Sequence, residues 1–157
     1  MPQNDLLCKD EVLNLQNAQS RESYWEKRLQ ENWGLHGVGH ISYGIHYNRW
    51  LYKVRRHVFA REVRRMPIDW GNANVLDIGS GTGFWIKTWN TTGVRSVTGS
   101  DITDTAVEKL RGYYPHSQVL KLDISGSLEE QTVTGKYEVI SAFDVLFHIV
   151  DDARFYA

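Results

Sequence analysis

Two periodicities divide the chain near residue 66. Before it, apolar residues recur at helical spacing: Trp25, Leu29 and Trp33 lie four apart, Ser20 suits an N-cap, and Gly34 stands where a helix would stop. Residues 1–19 carry Leu6, Leu7, Val12, Leu13 and Leu15 with weak phase, enough for one short helix or a frayed arm. Residues 34–44 hold Gly34, Gly37, Gly39 and Gly44 and read as a loop. The clearest helix spans 47–65. Tyr47, Trp50, Leu51, Val54, Val58 and Phe59 form one apolar stripe, arginines mostly take the other side, and Pro67 ends it.

From residue 73 short apolar runs alternate with helix-like stretches. Strands are expected at 74–78, 96–100, 118–122 and 137–142, with helices at 83–89 and 105–113 between them. A further helix is expected from Asp151, where Asp151 and Asp152 suit the positive end of the helix dipole. Strands separated by helices imply a doubly wound, mainly parallel α/β sheet of Rossmann-like type. Residues 1–66 then form an N-terminal helical cap or arm, and 67–157 the α/β core. Nothing after the fourth strand would cover its edge, so the reading expects a fragment, a homo-oligomer or a partner that completes the sheet.

Composition narrows this picture. A chain of 157 residues that is 41% hydrophobic, with six tryptophans, can bury a core as a single domain. The net charge of -1 gives no general attraction to nucleic acid or anionic lipid, although 53–65 concentrates six cations against Glu62. Cys8 is the only cysteine, which excludes an internal disulfide and a cysteine-based metal site and fits a reducing cytoplasm. No apolar run reaches the ~18 residues of a membrane span, and none of signal-peptide length opens the chain. A soluble cytoplasmic protein is expected.

In a doubly wound sheet, ligands bind beyond the carboxyl ends of the strands. The first strand ends in Asp77-Ile78-Gly79-Ser80-Gly81-Thr82-Gly83, followed by a helix. Such a turn lets a ligand touch the main chain, and the helix start offers N–H groups. A dinucleotide fingerprint counted from Gly79 would need glycine at position 84, which is Phe84. The third glycine stands one place early, and Asp77 precedes the first by two.

That arrangement resembles the first motif of the class I S-adenosylmethionine-dependent methyltransferases, and three later segments resemble the family's subsequent motifs in order. These are Val97-Thr98-Gly99-Ser100-Asp101, Leu120-Lys121-Leu122-Asp123-Ile124, and the run from Val139 through Phe143 and Asp144 to His148. The resemblance implies an S-adenosylmethionine site, with S-adenosylhomocysteine as product, formed by Asp77, Gly79, Ser80, Gly81, Gly83, Asp101, Ile102, Asp123, Ile124, Phe143 and Asp144. Asp101 would take the ribose hydroxyls and Asp123 the adenine amino group, while Asp77 would accept loop N–H bonds and shape the turn. An early Tyr24-Trp25 pair is similar to families in which aromatics and an arginine cover the cofactor, which implies Trp25 and Arg28. A complete family domain has seven strands, so the expected fold is an incomplete version of it.

His148 is the one histidine inside a motif, a candidate general base or a packing residue. His36, His40 and His46 have no fixed common face, and no metal is expected. The arginines of 55–65 read as a solvated face, with a phosphate-bearing substrate as the sharper alternative. Tyr47 and Trp50 read as core residues or pocket lining. The expected activity is methyl transfer to a small-molecule acceptor, with nucleic acid and membrane disfavoured as partners. The competing reading is a fragment or subunit that binds S-adenosylmethionine without turning it over.

Overall fold

The computed structural model describes residues 18–126 and 133–149. These form α1 (Ala18–Glu31), α2 (Leu35–Val38), α3 (Gly44–Val63), β1 (Asn74–Ile78), α4 (Phe84–Asn90), β2 (Ser96–Asp101), α5 (Asp104–Tyr113), β3 (Gln118–Lys121) and β4 (Val139–Ala142). Single 3-10 turns lie at Ile41–Tyr43, Trp70–Asn72 and Leu146–His148. Residues 1–17 of the arm expected over 1–19, and the helix expected from Asp151, fall outside the described residues.

Every strand pairing is parallel, in the order β3-β2-β1-β4. Val75 in the central β1 stands opposite Val97 of β2 and Val139 of β4. The chain steps outward from β1 to β3 and then crosses back to β4, so its winding reverses beside β1. Doubly wound sheets open a ligand crevice at such a reversal. Val75, Val97 and Val119 share one buried cluster with Ile86, Val107 and Leu110. In α5, Thr103 supplies the N-cap and accepts from the Ala106 amide, while Ala106, Val107 and Leu110 fall on the inward face at helical spacing.

The aromatic layer against α3 joins that helix to α4. Phe59 meets Trp89 edge-on at 4.6 Å and lies 5.3 Å from Trp85, and Trp70 extends the layer to Trp89 at 5.7 Å. Packing on this layer sets which side of α3 faces inward, and it corrects the expected stripe. Asn48, Tyr52, Phe59 and Val63 are the buried positions, while Tyr47, Trp50, Val54 and Val58 are exposed, Trp50 at 60%.

Two further boundaries differ from expectation. α1 begins at Ala18, so Ser20 lies inside it and is not its cap. The glycine-rich stretch is no open loop; it contains α2 and a 3-10 turn. Buried Asn48 supplies the order: its Oδ1 accepts from the His40 amide at 2.8 Å, and its Nδ2 donates to the carbonyls of His40 and Gly44. One side chain thereby satisfies main-chain groups that a glycine-rich segment leaves unpaired. Among the described residues no helix is long and apolar enough to cross a membrane.

Candidate functional site

A pocket opens at the carboxyl ends of the four strands, floored by the turn after β1 and roofed by α1. Arg21, Trp25 and Leu29, each one helical turn apart, present one face of α1 to it. Polar bonds pin α1 there. Glu26 accepts from the amide and hydroxyl of Thr105 at the start of α5. Lys121, at the end of β3, bridges Glu22 and Asp104 at 2.8 Å each.

The turn itself is held by carboxylates from below and beside. Asp77, 1% exposed, accepts from the Ser80 hydroxyl at 2.9 Å and from the Ser141 hydroxyl of β4 at 2.8 Å. Ser141 in turn accepts from the Trp89 indole N–H at 2.9 Å. The expected loop N–H partners of Asp77 are therefore replaced by hydroxyls. Its role in fixing the turn is retained, because Ser80 bonds it directly. Burial pushes the Asp77 carboxyl up to about 6, against the lowering effect of Ser141 and Ser80.

Asp101 ends β2 and faces the pocket. Its Oδ2 accepts from the Gly81 amide at 2.8 Å, and its Oδ1 from the amide and hydroxyl of Thr103. Burial raises its carboxyl above the usual range, opposed by those bonds from Thr103 and Gly81. The amides of Ser80 and Gly83 are also committed, to the carbonyls of Ser100 and Ser80. The turn thus spends most of its N–H groups on its own shape. Asp123 accepts from the amide and hydroxyl of Ser125, capping the turn after β3.

Gly79 and Gly83 are required by different neighbours. A Cβ on Gly79, at φ 67°, would sit 2.2 Å from a Val145 methyl; one on Gly83, at φ 82°, would strike Tyr114 and Leu110.

His148 stands on the opposite wall, its ring edge-on to Trp25 at 4.9 Å. Burial, then the charge of Arg28, lowers its imidazole below the usual value, which leaves it neutral and able to accept a proton near neutral pH. Phe143 stacks on Trp85 at 4.1 Å, joining the wall to the aromatic core.

Of the residues expected at a ligand site, Trp25, Gly79, Ser80, Gly81, Asp101, Ile102, Asp123, Ile124, Phe143, Asp144 and His148 line this pocket. Asp77 lies beneath it. Gly83 and Arg28 are not on its wall. Arg28 donates instead to the carbonyls of Gly37 and Gly39 at 2.6 and 2.5 Å and to the Tyr24 hydroxyl, so it braces the glycine-rich segment. Arg21 and Tyr52 line the pocket without having been singled out. Arg21 is 7% exposed, donates to the Ser125 hydroxyl at 2.6 Å, and makes no ion pair among the described residues. Its four-residue offset from Trp25 was the available signal. The same residues hold no group of three or more metal-ligating side chains.

A parallel β3-β2-β1-β4 sheet with a glycine turn under a strand-end pocket is the Rossmann-like fold of class I methyltransferases. The chain belongs to a methyltransferase domain family, whose sequence profile matches residues 47–155. No curated protein matches it. Among solved structures it resembles magnesium protoporphyrin IX methyltransferase (ChlM) from Synechocystis PCC 6803 with bound SAM. That match has 19% identity and a TM-score of 0.54, covering 93% of this chain and 66% of that one. The same enzyme with bound SAH matches with 20% identity and a TM-score of 0.55, covering 88% of this chain and 60% of that one. The DhpI-SAM-HEP complex matches with 19% identity and a TM-score of 0.55, covering 88% of this chain and 55% of that one. This chain therefore spans 55–66% of the length of these structures.

Proposed function

We propose that the strand-end pocket binds S-adenosylmethionine and that the protein transfers the methyl group to a small-molecule acceptor. The observation that carries this reading is Asp101, a buried carboxylate at the pocket wall tied to the glycine turn through Gly81. A ribose hydroxyl is a suitable donor to it. Three of its roughly four acceptor positions are already taken, so binding both vicinal hydroxyls requires the Gly81 bond to loosen. Chemistry on each side of Asp101 supports this reading: Ile102 and Trp25 offer apolar surface for a purine, and Arg21 brings a positive charge suited to a carboxylate.

Bound S-adenosylmethionine supplies a methyl group already activated by its sulfonium charge. The residues then have to align the acceptor and exclude water. Trp25, Leu29 and Tyr52 close the pocket from the cap side. A neutral His148 is available to take a proton where the acceptor is protonated. The two SAM-bound relatives support both the cofactor and the small-molecule class of acceptor. A single cysteine supports a reducing, cytoplasmic setting. In the same reading, residues up to 66 act as a cap on a core that begins at 67.

Calorimetry with S-adenosylmethionine, S-adenosylhomocysteine and NAD tests the reading. Binding of the first two is expected; binding of NAD alone would sink it.

A further inference from the structure

Asp144 is the one non-glycine among the described residues whose backbone is left-handed, with φ 59°. Aspartate tolerates this region better than most residues, yet remains less at ease there than glycine. The segment is held from three directions. Phe143 stacks on Trp85, and a Val145 methyl occupies the space where Gly79 lacks a side chain. Between them the Asp144 carboxylate meets the Arg55 guanidinium with both oxygens, one contact at 3.1 Å. Arg55 in turn lies over the Tyr52 ring, 5.0 Å from its centroid.

The two charged side chains are 30% and 35% exposed, so solvent screens their attraction. What a two-pronged guanidinium contact adds is direction: it fixes the plane of the carboxylate. We propose that Arg55 is a positioning residue, holding Asp144 in its left-handed conformation and so keeping the 143–148 wall against Gly79. The cap helix α3 would then set the shape of a wall that belongs to the sheet. The amide of His148 donates to the Val145 carbonyl at 2.9 Å, so the same hold reaches the candidate base. Arg55 finds its partner outside the helix, whereas Arg61 and Arg65 pair with Glu62 on α3 itself.

Hydrogen exchange on the ligand-free chain tests the positioning directly. Arg55→Met is expected to speed exchange of the His148 and Ile149 amides about tenfold, with β1 and α5 unchanged. Glycine adopts φ 59° freely, so in an Asp144→Gly background the same substitution should change exchange by less than about twofold. Unchanged exchange in Arg55→Met, or an equal increase in both backgrounds, overturns the proposal. A second arm rests on the cofactor reading: Arg55→Met should weaken S-adenosylhomocysteine binding about fivefold, and far less once residue 144 is glycine. Equal loss in both backgrounds counts against positioning. A wild-type chain that binds no S-adenosylhomocysteine overturns the cofactor reading alone and leaves exchange to decide.

Discussion

The main-chain amide of Gly81 donates to Asp101 at 2.8 Å, tying the glycine turn after β1 to the acid that ends β2. A ligand hydroxyl arriving at Asp101 therefore acts on the turn as well. Asp101→Ala is expected to weaken S-adenosylhomocysteine binding at least tenfold, ~1.4 kcal/mol. Calorimetry showing wild-type affinity would remove Asp101 from the ribose role.

Asp77 makes stability depend on pH in an unusual direction for a carboxylate. Its folded value is raised by burial to about 6 from 3.8, so the fold keeps a proton that the unfolded chain releases. Its contribution is present in full below about pH 4 and is lost as the pH rises through about 6, on the order of 2–3 kcal/mol. Asp101 is shifted the same way. Asp77→Asn should flatten part of this fall in urea titrations across that range. An unchanged slope would show that Asp77 ionises in the fold as it does unfolded.

His148 should titrate below the usual imidazole value, because burial and the Arg28 charge both oppose its protonation. Its ring signals, assigned by comparison with His148→Gln, report this in a proton NMR titration. A midpoint at or above about 6.5 contradicts the buried placement.

Gly79→Ala should destabilise the chain by about 2 kcal/mol or more, through a left-handed alanine and displacement of Val145. Val145→Ala in that background should return the steric share alone. Thermal unfolding of the pair separates the two contributions; full recovery would mean the backbone carries no strain.

Phe59→Ala and Trp50→Ser test the orientation of α3. The first removes a 7%-exposed ring from the aromatic layer and should cost about 3–5 kcal/mol; the second should stay within about 0.5 kcal/mol. Equal costs in denaturant titrations would restore the stripe through Trp50.

The contrast between β1 and α3 explains what was legible in sequence. β1 carries Val75 and Leu76 into a glycine turn whose spacing is chemically restrictive, so its position and the pocket above it could be read directly. α3 borders the strand-end pocket and the glycine-rich segment, so its inward face includes Asn48, Tyr52 and Arg55. Hydrophobic phase then points to the wrong side, since polar groups turn inward where they have bonds to make. Arg28 lies off the pocket wall for a related reason. Its partners are main-chain carbonyls of Gly37 and Gly39, which no side-chain pattern announces.

Trp85 touches Phe59 and Phe84 in the core and stacks on Phe143 at the pocket wall. Asymmetric packing of such rings gives rise to near-ultraviolet circular dichroism, which vanishes when fixed side-chain contacts are lost even if helices persist. The native chain thus carries a built-in optical gauge at the border of its site, readable without label or ligand.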